Sequence, residues 1–408
     1  MLRIAVISLH TSPLLQPGSG DSGGMNVYVR ELVSALAQSG VDCTTYTRAD
    51  RDGLPRVVEV EPNHRVVHIE AGPHYLPKEA LPEIIDEFAD RVLEHIRSGP
   101  GVDVIHANYW LSGVAAHRLK HELGVPFVST FHTLARVKAE GGDPEPAWRE
   151  RAEAELINCA DAVCVSCEHE ESQFRRLYGD PQGQIEIVAP GVEHALFAPG
   201  DRRGARRVID REIDLDPEAP MVLFVGRIQP LKGPDVAIRA LAAMRAETAQ
   251  LVIVGGASGP DGDAEVDRAH HLADELGVAS RVRFVGPRPH HLLSSFYRAA
   301  DVVMVPSRSE SFGLVALEAA ACGVPVVASA VGGLLSLVDH GETGYLLPVR
   351  DPNLFAAAID RILDDPDLGA RLGLQAALLA ERYTWRAAAD ALRHLYLDLG
   401  VRELVVGE

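Results

Sequence analysis

Short apolar runs, each closed by a glycine, a proline or a polar loop and followed by helical spacing, recur along this chain in two series. The first places strands over 2–10, 43–47, 65–69, 102–107, 126–130, 162–166 and 185–189, with helices over 26–40, 79–97, within 145–159 and over 168–178. The run over 2–10 (LRIAVISLH) reads as a buried strand, the kind a parallel sheet covers on both faces. Regular strand–helix succession lays helices on both faces of such a sheet. The stretch 190–200 (PGVEHALFAPG) breaks the pattern with glycine and proline. A second series then follows, with strands over 220–226, 251–255, 281–286, 301–306, 324–329 and 344–347. A last helix over 385–399 starts after Thr384, a natural N-cap. The expectation is an α/β chain of two Rossmann-like domains, 1–195 and 196–384, with residues 385–408 as a terminal helix. Ligands of such folds sit at the carboxyl ends of the strands.

A net charge of −19 over 408 residues argues against nucleic acid or an anionic membrane as partner. No apolar run reaches transmembrane length, and residues 2–8 read as a strand rather than a leader. The five cysteines, 43, 159, 164, 167 and 322, form no disulfide framework and suggest a reducing cytoplasm. Cys164-x-x-Cys167 with His169 nearby has no second pair, so core thiols explain it better than a metal site. The pattern assigns no subunit interface and leaves a homodimer open.

Chemistry collects at four places. Residues 301–306 (DVVMVP) read as a buried strand, after which Glu310 lies on a loop. Phe312-Gly313-Leu314 then opens a helix in which Glu318 stands among alanine, valine and leucine, and Cys322-Gly323 closes it. A carboxylate on an apolar helix needs hydroxyls, amides or a cation to meet it. Against a plain loop acid and a wet helix face stands a sugar site across the helix N-terminus. The loop over 17–26 spells G-x-G-x-x-G at 18, 20 and 23, which raises a dinucleotide-binding oxidoreductase. Its first glycine falls well past the strand end, however. Gly23-Gly24 at a helix start fits amides approaching a phosphate better. Arg227 and Lys232 follow the strand over 220–226, where two cations on an acidic protein can hold a diphosphate and stabilise its departure. His132 lies just past the strand over 126–130; a core histidine explains it equally well.

Gly-Gly-x-Asn at 23–26, GRIQPLKG at 226–233 and ExFGLxxxE at 310–318 closing on ACGVPVV resemble the retaining GT-B glycosyltransferases of family 4. The likeness runs along the whole chain. More narrowly, residues 10–29 and 108–113 resemble the branch that attaches N-acetylglucosamine to inositol 3-phosphate in mycothiol synthesis; sucrose-phosphate synthases share part of the pattern. The resemblance implies two domains facing a cleft, with the last helix crossing back to the first. It implies a nucleotide sugar, UDP-linked, as donor and a phosphorylated polyol or sugar as acceptor. Gly23 and Gly24 would give amides to the donor phosphate, and Arg227 with Lys232 would neutralise the leaving diphosphate. Glu318 would hold the ribose, Glu310 and the amides of Phe312, Gly313 and Leu314 the sugar and phosphate, and the base would lie near Arg288. His132 would contact the donor sugar near the reacting carbon. Asn26 would meet the acceptor's hydroxyls, and Lys78, Tyr109, Thr133 and Arg149 its phosphate. The chain departs from the family pattern at Phe131, Arg136 and Leu335. No Asp-x-Asp pair stands at a strand end, so no essential metal or cofactor is expected. A nucleotide-sugar epimerase would need further acids at the sugar, which the sequence does not offer.

Overall fold

The structure, a computed structural model, describes residues 1–18, 20–258 and 262–406. The first sheet comprises β1 (Arg3–Ile7), β2 (Asp42–Arg48), β3 (Val57–Glu61), β4 (His64–Ile69), β5 (Val104–Asn108), β6 (Phe127–Thr130), β7 (Ala162–Val165) and β8 (Gln184–Ile187). Its order is β3-β4-β2-β1-β5-β6-β7-β8, parallel except for β3 against β4. The second comprises β9 (Met221–Val225), β10 (Gln250–Val254), β11 (Val282–Val285), β12 (Val302–Val305), β13 (Val326–Ser329) and β14 (Gly344–Leu347). These are all parallel, in the order β11-β10-β9-β12-β13-β14. The α/β expectation of two Rossmann-like sheets is met.

Packing divides the chain into two units. One holds Met1–Leu15, Met25–Gly191 and the chain from Trp385 onward; the other holds Gln16–Gly24 and Val192–Thr384. The glycine loop therefore belongs with the second sheet, although it precedes the first domain's opening helix, Gly24–Gln38. The reason is local. The carbonyl of Gly18 accepts from the amide of Gly256 at 3.1 Å, and Gly18 lies against Pro287. This also disposes of the dinucleotide reading, which needs the first glycine at the end of β1.

In the first sheet the strand order reverses between β1 and β5, and in the second between β9 and β12. Loops leaving the carboxyl ends of two such strands turn to opposite faces and leave room for a ligand. Residues 8–23 and 109 follow β1 and β5, and residues 226–233 and 306–313 follow β9 and β12. Strand cores such as Ile4, Ile105, Phe127, Phe224 and Ile253 are fully buried and anchor these ends. In the first unit the last helix, Trp385–Val406, buries Leu392 and Tyr396, and the Tyr396 hydroxyl meets His106 Nδ1 on β5 at 2.6 Å.

Of the elements that the sequence did not place, two show why. β3 is a half-exposed antiparallel edge whose VVEVE alternates and so lacks the apolar run that marks strands such as β9 and β12. Helix Arg202–Ile213 buries only Ile209, so its sequence carries almost no apolar stripe. Among the described residues all five cysteines are free thiols, with Cys164 and Cys167 buried.

Candidate active site

In the second unit the donor-side residues come together. Lys232 Nζ pairs with Glu310 Oε2 at 2.7 Å, both side chains largely buried. Lys232 precedes Gly233, which caps the helix Pro234–Ala243 in a left-handed conformation. Arg227 donates to Ser258 Oγ at 3.1 Å. A Cβ placed on Gly23 would lie 3.4 Å from Arg227 Nε, and one on Gly24 3.6 Å from a Leu314 methyl. The glycine loop thus runs beside both Arg227 and the start of the helix Leu314–Ala321. Glu310 is fixed from behind: its carbonyl accepts from the Gly333 amide at 3.1 Å, and a Cβ on Gly332, at φ +51°, would sit 1.6 Å from that carbonyl oxygen. Only glycine permits that approach. Leu335, in the same turn, has an exposed side chain, and its amide donates to the Gly332 carbonyl at 3.2 Å.

Glu318 is buried, and both of its oxygens are met within the protein. His290 Nε2 donates to Oε1 at 2.6 Å and the Tyr297 hydroxyl to Oε2 at 2.7 Å. Burial, then the Glu318 charge, holds the Tyr297 phenol well above its ordinary pKa, so it remains a donor. The carboxylate keeps lone pairs for a ligand's diol. Phe312 is buried edge-on to Tyr383, ring centroids 5.6 Å apart, with Gly313 as the helix cap. Arg288 follows β11, where Nη2 reaches Glu212 at 3.5 Å, while its buried Nε has no partner among the described residues.

Tyr109 immediately after β5 and His132 just past β6 are among the non-glycine residues of the first unit with positive φ (+77° and +60°). Each such residue costs on the order of 1–3 kcal/mol and persists only where its surroundings impose it. His132 Nε2 donates to Asn108 Oδ1 at 2.9 Å, and its ring stands edge-on to Tyr28. Burial, helped by His106, pushes the His132 pKa down to about 3, so the imidazole is neutral at physiological pH. His106 is likewise pushed to about 3 by burial, its two nitrogens bonded to Tyr396 and to Thr130 Oγ1.

The four residues read as a phosphate pocket converge. Lys78 Nζ and the Arg149 guanidinium lie over the Tyr109 ring, each 5.1 Å from its centroid. Arg149 Nη2 donates to the Thr133 carbonyl and hydroxyl at 3.1 and 3.2 Å. Arg149 is buried, held through Nε to Glu153 Oε1 at 2.8 Å, and pairs through Nη1 with Glu145 Oε1 at 2.8 Å. Glu145 also pairs with Lys138, which in turn reaches Asp143 Oδ2 at 2.9 Å. Burial would raise the Glu145 pKa, but Lys138, Arg149 and Lys78 together hold it below the usual carboxylate range. Three cations therefore share one carboxylate. Asn26 is buried and donates both amide hydrogens, to Thr11 Oγ1 and the Ser12 carbonyl at 2.8 Å. Its carbonyl oxygen is thus the acceptor side of the group. Phe131 lies in the core, and Arg136 stacks on Tyr178 and pairs with Glu150, so neither departure enters this cluster.

Sequence reasoning missed Lys138, Glu145 and Asn108 here, and Ser258, His290 and Tyr297 in the second unit. His290 could have been found: it follows the GPRP turn at a helix start. The others carry no local signal.

Two family models match the chain: a glycosyl transferase 4-like domain over residues 23–191 and glycosyl transferases group 1 over 205–395. D-inositol 3-phosphate glycosyltransferase 2 of Catenulispora acidiphila is 45% identical, covering 100% of this chain and 99% of that protein. D-inositol 3-phosphate glycosyltransferase of Acidothermus cellulolyticus is 46% identical, covering 97% and 90%. Among solved structures, sucrose-phosphate synthase from Thermosynechococcus elongatus aligns with a TM-score of 0.91 at 35% identity over 100% of both chains.

Proposed function

This chain belongs to the GT-B glycosyltransferases alongside the D-inositol 3-phosphate glycosyltransferases, and we propose that it moves a sugar, N-acetylglucosamine or glucose, from a UDP-sugar to a hydroxyl of inositol 3-phosphate with retention of configuration. The observation that carries the acceptor class is the cluster of Lys78, Lys138 and Arg149 around the Glu145 carboxylate, with Thr133 and Tyr109 against Arg149. Cations and a hydroxyl converging on one anion suit a phosphate monoester, which brings more charge and more acceptor oxygens than the carboxylate it would replace.

On the donor side Arg227 and Lys232 supply the charge that a departing diphosphate needs, with the Gly23 and Gly24 amides at the start of a helix. The bond from the anomeric carbon to the β-phosphate oxygen breaks, and the acceptor hydroxyl attacks from the same face. The leaving phosphate oxygen takes the acceptor's proton. Neutral His132, locked by Asn108, contributes position rather than acid–base exchange. Cations do the work a metal would, so we propose that no metal enters this step.

The test incubates the purified protein with UDP-N-acetylglucosamine or UDP-glucose and inositol 3-phosphate, with and without chelator, and reads product mass and anomeric configuration. An α-linked phosphorylated product, formed equally with chelator, is expected. No transfer to inositol 3-phosphate, with UDP-sugar turnover on another acceptor, overturns the acceptor. A β-linked product overturns retention. The full-length alignment with sucrose-phosphate synthase favours fructose 6-phosphate as the second acceptor to try.

A further inference from the structure

We infer that the first unit carries a second, non-catalytic site, built from His117, His121 and Cys159, that takes a borderline divalent ion such as zinc. His117 and His121 are one turn apart on the helix Trp110–Leu123, their ring centroids 5.0 Å apart. Residues at this spacing share a helix face. Cys159 ends the helix Ala147–Cys159, and its Sγ lies 3.5 Å from His121 Nε2. One ligand atom from each of the three falls within 4.8 Å of the others.

With metal–sulfur and metal–nitrogen bonds of about 2.3 and 2.0 Å, the edge between two ligands of a tetrahedral ion is about 3.5 Å. The Cys159–His121 separation already has that length, and a ring nitrogen of the half-buried His117 lies within 4.8 Å of both. His121 is exposed, so water can reach the site. Burial holds the Cys159 thiol above its ordinary pKa, so the pair is not an activated nucleophile; a bound cation would displace the proton instead. Two imidazoles and a thiolate select zinc-like ions over magnesium or calcium.

The site would tie the far ends of two helices whose near ends serve the acceptor cluster. Tyr109 caps the first helix, Arg149 lies in the first turn of the second, and Trp110 and Trp148 meet between them at 5.1 Å. Lys120 already links the far ends by donating to the Cys159 carbonyl at 2.8 Å and pairing with Asp161. The ion would add a second, ligand-dependent tie there.

The test titrates tag-free protein with Co²⁺ and follows the thiolate-to-cobalt charge-transfer band and the tetrahedral visible bands, then displaces the ion with Zn²⁺ and records thermal melting. One equivalent per chain with both sets of bands, and a higher Tm with Zn²⁺, is expected. Cys159→Ser should lose the charge-transfer band while still folding by circular dichroism, and His121→Ala should bind about tenfold or more weakly. A wild-type spectrum without a thiolate band, or an unchanged band in the Cys159→Ser variant, overturns the proposal. So does equal metal uptake by wild type and both variants, which marks adventitious binding. Transferase activity is not the readout, so failure here leaves the function above untouched.

Discussion

Replacing Glu145 by glutamine should weaken the free protein and tighten its hold on a phosphorylated acceptor. Glu145 is 21% exposed, and its carboxylate is shared by Lys138 and by Arg149 at 2.8 Å. The substitution keeps size and hydrogen bonding but removes the charge. Arg149 retains Glu153 and Lys138 retains Asp143, so neither cation is left wholly unpaired. A hydrogen bond to a charged group contributes about 1.5–3 kcal/mol, and partial exposure reduces this. We therefore take about 2 kcal/mol as the stability lost from the free state. An acceptor phosphate that takes over Arg149 and Lys138 no longer has to break their charge pairs with a carboxylate, so the same energy reappears in binding. At 1.36 kcal/mol per decade, that is a dissociation constant about 30-fold lower.

Urea denaturation measures the first quantity, and calorimetric titration with inositol 3-phosphate, with unphosphorylated inositol as control, measures the second. Inorganic phosphate should raise the Tm of Glu145→Gln more than that of the wild type. If the variant is destabilised yet binds inositol 3-phosphate no better, Glu145 orients Arg149 and does not stand in for the phosphate. In that case the cationic cluster loses its claim to the acceptor.

The remaining expectations concern single side chains. Lys232→Met removes the Glu310 partner and the cation proposed for the diphosphate, and should lower kcat about 10²–10³-fold in steady-state assays; a wild-type kcat would remove Lys232 from the chemistry. Asn108→Ala frees the His132 ring and should cost about 1 kcal/mol of stability, with kcat falling more than donor KM rises, whereas Asn108→Asp, which keeps the acceptor oxygen, should restore much of the rate. Tyr297→Phe leaves Glu318 Oε2 without its hydroxyl in a buried site and should cost about 1–3 kcal/mol by urea denaturation. Acid should destabilise the fold through His106: its pKa of about 3 lies below the unfolded value of 6.5, so the stability present above pH 6.5 is lost as pH falls toward 3. At pH 5 the loss from His106 is about 2 kcal/mol, and His106→Gln should remove that share of the slope between pH 6.5 and 4 while leaving the equal share from His132.

The two sheets were legible because parallel strands are buried on both faces, and runs such as Val302–Val305 announce that burial without help from any partner. The edge strand Val57–Glu61 was not, since an edge half in solvent alternates and looks like loop. The place of the glycine loop was hidden for a different reason. Chain order puts residues 16–24 in the first half, while the bond from Gly256 to Gly18 that assigns them to the second is a pairing across more than half the chain.

The same distinction governs the site. Both Glu310 and Glu318 could be singled out because a carboxylate after a buried strand or inside an apolar helix needs an explanation, and that need is local. What answers it is not. Glu318 is satisfied by His290 and Tyr297 from the preceding helix, and Glu310 by Lys232 from a loop 78 residues earlier. Arg149 was expected to wait for a phosphate, yet it is buried with Glu153 and Glu145 on its own helix and the turn before it. A sequence can state that a buried charge requires a partner. It does not reveal whether the partner is a ligand or another side chain until the chain is folded. Where the internal partner is itself an anion on cations, as Glu145 is, the proposed acceptor site would make the two answers one, with the carboxylate holding the place of a phosphate. The sign of the Glu145→Gln effect on acceptor affinity therefore decides between a ligand site and a plain ion-pair network.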